Sequence, residues 1–179
     1  IREGLTNLMG GIVTPDGTFV VGSRSFSNNE NQLYLINTKN KTTKLYFKKP
    51  NSIFYPSFID GKTMSLYGVT DYKRDRRGCA RIPLNKPNHV YYVLEKKNKD
   101  ISCGYGEWSK LYYTEESYKG RTELTFYRSM FKDKITVPQL FNNQTVSPKS
   151  FDRTTNQMLL KYSAANVPGA MYLFDIKTK

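Results

Sequence analysis

The side chains best equipped for polar chemistry sit in one short run, Lys73-Arg74-Asp75-Arg76-Arg77, within the segment Asp71 to Gly78 and beside Tyr72. A guanidinium presents a planar fork that grips a carboxylate or phosphate through two parallel hydrogen bonds. Arg74, Arg76 and Arg77 are therefore the candidate contacts for an anion: a substrate carboxylate, an acidic partner or phosphate. A solvated loop is the plainer reading of the same run. Catalytic sets are harder to assemble. The one histidine, His89, follows the Pro87-Asn88 turn at the start of an expected strand, so a single imidazole base is on offer. No G-x-S-x-G elbow occurs. The nearest run, Gly22-Ser23-Arg24-Ser25-Phe26, has Arg at its centre and no second Gly. No catalytic residue is expected in this chain. One His and two Cys do not complete a zinc site, and Ser27-Asn28-Asn29-Glu30-Asn31 lacks the alternating Asp of a calcium loop and reads as a polar hairpin tip. No metal and no cofactor is expected. Cys79 and Cys103 could form one bridge, but two separate half-buried thiols are the simpler reading.

These residues are set in a chain of 179 with 28 Lys+Arg against 15 Asp+Glu, a formal charge of +13. Such a balance attracts anions. The lysines are dispersed along the chain, however, as on a solubilising surface. Nucleic-acid binding would want cations interleaved with exposed aromatics on one face. Tyr91, Tyr92, Tyr112, Tyr113 and Trp108 are instead expected to fill contacts between packed sheets, so nucleic acid is not expected as a partner. Apolar residues make up 38% and aromatics 14%, with 14 Tyr and 10 Phe, a composition that favours pleated, half-buried strands. No apolar run approaches the roughly 20 residues of a membrane-spanning helix, and no membrane partner is expected.

What positions the candidate residues is a repeat. Leu33-Tyr34-Leu35-Ile36-Asn37 is answered by Met171-Tyr172-Leu173-Phe174-Asp175, and Tyr34 to Tyr172 is 138 residues, three periods of 46. A second landmark precedes each copy: Thr14-Pro15-Asp16-Gly17-Thr18, Asp60-Gly61-Lys62-Thr63, Glu107-Trp108-Ser109-Lys110 and Asp152-Arg153-Thr154-Thr155. Its spacings are 44, 47 and 45 residues. Each copy reads as short strands joined by turns. In the second, a strand at 52–58 leads to the Asp60-Gly61 turn, where Gly61 would supply a positive φ. An alternating strand at 63–69 follows, then the basic loop, a strand at 79–84, and a strand at 89–94. Four antiparallel strands in about 46 residues make a β-propeller blade. The expected fold is all-β: about four four-stranded antiparallel blades, at roughly 7–51, 52–98, 99–144 and 145–179, an arc of a larger ring. First strands should start near Gly11, Ser52, Asp100 and Thr145, and the last blade should lack its outermost strand.

The tetrad Thr14-Pro15-Asp16-Gly17 with Leu33-Tyr34-Leu35-Ile36-Asn37 resembles the Pro-Asp-Gly repeats of TolB-type and prolyl oligopeptidase-type propellers. The last copy is more specific. Ser150-Phe151-Asp152-Arg153, a strand ending at Ser163, the turn Asn166-Val167-Pro168-Gly169 and Ala170-Met171-Tyr172-Leu173-Phe174-Asp175 resemble a late blade of the acylaminoacyl-peptidase-like branch of the prolyl oligopeptidase family. The resemblance implies a non-catalytic propeller that gates and positions peptide substrates for an α/β-hydrolase domain of the same parent chain, the parent being a serine peptidase. A TolB-type propeller that scaffolds protein–protein interaction is the alternative. The resemblance gives no compartment.

Overall fold

The computed structural model describes residues 8–106, 109–140, 144–152, 154–164 and 166–177. The chain divides into two compact units, Ile1–Lys97 and Asn98–Lys179. Among the described residues every regular element is a strand, and no helix is long and apolar enough to cross a membrane.

In the first unit, β1 (Met9–Val13), β2 (Phe19–Ser27), β3 (Glu30–Asn37) and β4 (Thr42–Lys48) form one antiparallel sheet in chain order. A second sheet follows from β5 (Phe54–Asp60), β6 (Ser65–Thr70), β7 (Gly78–Pro83) and β8 (Tyr91–Leu94). Short turns let consecutive strands pair directly, which is why each sheet is a simple meander. The first turn works as its residues imply. Pro15 presets φ, the Gly17 amide donates to the Thr14 carbonyl at 2.8 Å, and Gly17 takes φ 68°. The second turn differs from expectation. Gly61 is not in the left-handed region, and Met64 is, with φ 46°. The chain turns sharply after Thr63, whose amide and hydroxyl are held by the Asp60 carboxylate, so the left-handed residue falls later than the glycine.

Val21, Leu33, Phe47, Phe54, Leu66 and Ile82 form the core of this unit. Tyr46 is fully buried among them and donates its hydroxyl to the Ile82 carbonyl at 2.7 Å, so its polar tip is satisfied. Its burial raises the phenol's pKa. Asn31 is the other buried polar strut. Its side-chain amide donates to the Phe54 carbonyl at 2.8 Å and accepts from the Phe54 amide at 2.9 Å, clamping β3 to β5. The hairpin tip read at 27–31 thus ends in a structural clamp. β6 is buried at all six positions, where alternation was expected. A strand covered on both faces has no solvent side to mark with polar residues.

In the second unit, β9 (Asp100–Gly106), β10 (Leu111–Tyr118), β11 (Arg121–Ser129) and β12 (Lys132–Thr136) form an antiparallel meander. A three-stranded one follows, β13 (Thr145–Asp152), β14 (Gln157–Ala164) and β15 (Val167–Asp175). The two are not separate sheets. β12 pairs with β11 only from Thr125 to Ser129, which leaves the start of β11 open, and β13 meets it there through one parallel bridge, Thr122 with Thr145. The core holds Leu124, Phe126, Ile135, Met158, Leu160 and Phe174. Tyr162 packs with them and donates its hydroxyl to the Pro138 carbonyl at 3.2 Å.

The first strands of the four meanders begin at Met9, Phe54, Asp100 and Thr145. The chain is all-β, and its four-stranded antiparallel sheets are blades of the β-propeller type. Neither Cys79 nor Cys103 is a free thiol, contrary to the expectation of separate thiols. Trp108, expected in a contact between sheets, lies outside the described residues.

Candidate functional site

The basic loop joins β6 to β7 and projects from one end of the second sheet. It is fixed at its root. Asp71 accepts the Ile53 amide at 3.0 Å, the Tyr72 amide donates to Thr70 Oγ1 at 3.2 Å, and the Arg74 amide closes a turn onto the Asp71 carbonyl at 2.8 Å. Lys73 takes φ 59° at the bend. β7 begins at Gly78, where an added Cβ would lie 3.0 Å from the Tyr92 ring, so the glycine leaves room for that ring. A rigid sheet end therefore presents a short exposed loop, the arrangement in which binding residues commonly sit.

Tyrosines and one acid complete the site. The Arg74 guanidinium lies 5.1 Å from the Tyr92 ring centroid and forms an ion pair with Glu95. Tyr92 donates its hydroxyl to the Tyr72 carbonyl at 2.6 Å. Burial pushes the Tyr92 phenol up to about 12, against the lowering pull of Arg74. Lys49 and Lys73 approach the Tyr72 ring at 5.1 and 5.4 Å, and Arg77 lies 5.4 Å from the ring of Tyr55, which is 45% exposed. Lys73, Arg76 and Arg77 are exposed, and Arg74 is half-buried. Chemically this is a cation site stiffened by aromatic faces, suited to holding an anion. It carries no nucleophile with a base.

The sequence places the arginines on this loop but not their partners. Tyr55 comes from β5, Tyr92 and Glu95 from β8 and the residue after it, and Lys49 from the segment after β4. The tyrosines expected between sheets divide. Tyr92 packs on the first unit's core and Tyr113 on the second's. Tyr112 lies 4.9 Å from the Tyr105 ring. Tyr91 is 42% exposed with Arg81 at 5.3 Å from its ring, so it is a surface residue. A cavity of about 600 Å³, lined by Phe19, Leu35, Tyr46, Met64, Leu84 and Pro87 among others, shares no residue with the basic loop.

Catalytic candidates stay dispersed. His89 is exposed, in the loop before β8 rather than on the strand, with Nδ1 2.9 Å from the Pro87 carbonyl oxygen. Ser23 lies within β2, an extended strand rather than the strained turn that activates a serine, and its Oγ accepts from Asn31 at 3.2 Å. Among the described residues no group of three His, Cys, Asp or Glu could hold a metal ion.

No family model matches the chain, and no curated protein matches it. Solved structures do. Prolyl oligopeptidase B from Galerina marginata, bound to a 35mer hydrolysis and macrocyclization substrate, matches with TM-score 0.73 and 14% identity over 95% of this chain and 25% of that one. Oligopeptidase B from Trypanosoma brucei matches with TM-score 0.65 and 14% identity over 94% of this chain and 26% of that one. TolB from Acinetobacter baumannii matches with TM-score 0.61 and 15% identity over 96% of this chain and 42% of that one. At such identities the likeness is one of fold. This chain spans about a quarter of the length of the peptidases it matches. The resemblance carried by Thr14-Pro15-Asp16-Gly17 and by the residues from Ser150 to Asp175 thus has a counterpart in three dimensions.

Proposed function

We propose that this chain is part of the propeller of a serine peptidase of the prolyl oligopeptidase family. It is non-catalytic itself and gates and positions peptide substrates for an α/β-hydrolase domain of the same parent chain. The observation that carries this reading is the fold likeness over about 95% of this chain to about a quarter of a prolyl oligopeptidase. His89 lies in the loop before β8 and Ser23 within the extended strand β2. On this reading the blades run at roughly 7–51, 52–98, 99–144 and 145–179, an arc of a larger ring, and Arg74, Arg76 and Arg77 are the substrate-facing contacts.

The likeness to TolB, which covers 96% of this chain, favours a second reading, a protein-interaction scaffold. Fold likeness does not decide between them, because one fold hosts many functions. Sequencing the transcript that encodes this chain does. The first reading expects a G-x-S-x-G elbow, then Asp and His in that order, in the same reading frame. A frame that closes without an elbow overturns it in favour of the scaffold.

A further inference from the structure

The cavity of about 600 Å³ in the first unit has walls with a chemistry of their own. Its size lies within the roughly 300–1,000 Å³ of small-ligand pockets. It collects the start of β2, the β3–β4 turn, the β5–β6 turn and the chain after β7. The apolar part of its lining is Phe19, Leu35, Leu84, Pro87, the exposed Met64 and Tyr46. The Tyr46 hydroxyl is already given to the Ile82 carbonyl, so this residue offers only its ring.

The polar part of the lining is asymmetric. Asn37 Oδ1 accepts the Lys39 and Asn40 amides at 3.0 and 3.2 Å. Asn40 Oδ1 accepts the Thr42 amide at 3.1 Å and the Thr42 hydroxyl at 2.7 Å. A side-chain carbonyl has two lone pairs, so both acceptors are filled and the Nδ2 donors remain. Lys44 is the charged residue of the lining, and it pairs with no carboxylate among the described residues. No Asp or Glu lines the cavity among the described residues. On the adjoining turns, the Asp16 carboxylate is held by Thr14 and Thr18 and that of Asp60 by Thr63. Lys39, Lys41, Lys62 and Lys86 stand exposed on the turns of the same sheets and add a field that draws anions.

Apolar walls with spare donors and one ammonium fit an apolar body that carries a carboxylate. A phosphate has no body to place against Phe19 and Leu84. A hydrocarbon acid would leave the asparagine amides facing methylenes, whereas a peptide brings them carbonyl oxygens. We propose that this cavity holds the C-terminal residue of a peptide with a large apolar side chain, its carboxylate on Lys44. The inference stands on the first unit alone and goes beyond both the peptidase and the scaffold readings.

The test is fluorescence anisotropy with the full chain and N-terminally labelled pentapeptides. One ends in Phe with a free carboxylate, one in Phe amide, and one in Gly with a free carboxylate. The Phe acid should bind about ten-fold tighter than the amide, through charge-assisted bonds, and about ten-fold tighter than the Gly acid, through burial of the ring. Lys44→Gln should bring the Phe acid down to the level of the amide and leave the amide unchanged, which a merely structural change would not do. Met64→Asn keeps a residue that tolerates positive φ and should weaken the Phe acid and amide alike, about three-fold. Both positions are exposed, and unchanged thermal unfolding certifies that each variant is folded. Equal binding of acid and amide, or an acid advantage that survives Lys44→Gln, overturns the carboxylate site. Equal binding of the Phe and Gly acids overturns the apolar pocket, and binding of none of the three overturns the proposal whole. Octanoate that displaces the labelled Phe acid at lower concentration than N-acetyl-phenylalanine does overturns the assignment to peptide.

Discussion

Asp16 carries more structure than its exposure suggests. Its carboxylate accepts the Thr14 hydroxyl at 2.6 Å, the Thr18 amide at 3.0 Å and the Thr18 hydroxyl at 2.6 Å. The Thr14 hydroxyl bond, with those from Thr18, holds its pKa well below the usual carboxylate range. Asp60 does the same work for Thr63, and Asp152 takes the Thr154 amide at 2.8 Å and the Thr155 hydroxyl at 2.9 Å. The Thr154 amide bond is the main reason that the Asp152 pKa is also lowered. At Asp16, Asp60 and Asp152 the repeated landmark is therefore an Asp–Thr turn lock. A depressed carboxylate stabilises the fold fully above the unfolded-state pKa and ceases to as pH falls through the folded-state value. Thermal melts between pH 5 and 2 should thus show wild type losing stability below about pH 4 more steeply than Asp16→Asn. Identical slopes would show that the lock is not felt. The landmark and its spacing were legible in the sequence, where the turns read through Pro15, Gly17 and Gly61, and the Asp–Thr bonds that hold them were not. Tyr72 was legible beside the basic loop, but Tyr55 and Tyr92 were not, because β5 and β8 bring them there only through the sheet.

At the scale of the strand, Gly68 in the centre of β6 is the most closely packed of the first unit's described glycines. A Cβ there would lie 2.2 Å from the Tyr55 carbonyl oxygen and 2.5 Å from the Phe54 ring. Backbone at that range cannot yield, so Gly68→Ala should cost about 1–3 kcal/mol or more in urea unfolding. Gly61 gives the contrast. Nothing lies within 4 Å of its added Cβ, and its φ is not positive. Gly61→Ala should therefore stabilise by about 0.4–1 kcal/mol, through loss of freedom in the unfolded chain. If Gly61→Ala destabilised, the turn would need the left-handed glycine that its Asp-Gly sequence suggests. The repeat period and the order of strands were readable from the two landmarks. The parallel bridge from Thr122 to Thr145 was not, because one residue pair between strands of different copies leaves no periodic mark.

At the scale of the whole molecule, the charge of +13 and the fold likeness point to different kinds of partner, and only the second comes with a geometry. Charge describes what the surface attracts on average. A fold shared over nearly the full chain names a part, here a propeller portion. That part is legible in the sequence as the 46-residue repeat. Which partner the part serves is not, since fold and function separate. The most direct test uses the native protein, captured from its source with an antibody raised against this chain and exposed to a fluorophosphonate, which labels an activated serine covalently. A propeller that serves a hydrolase predicts a labelled band heavier than this chain, with the isolated 179-residue chain unlabelled. A captured protein that takes no label, under conditions where a known serine peptidase does, would contradict the account.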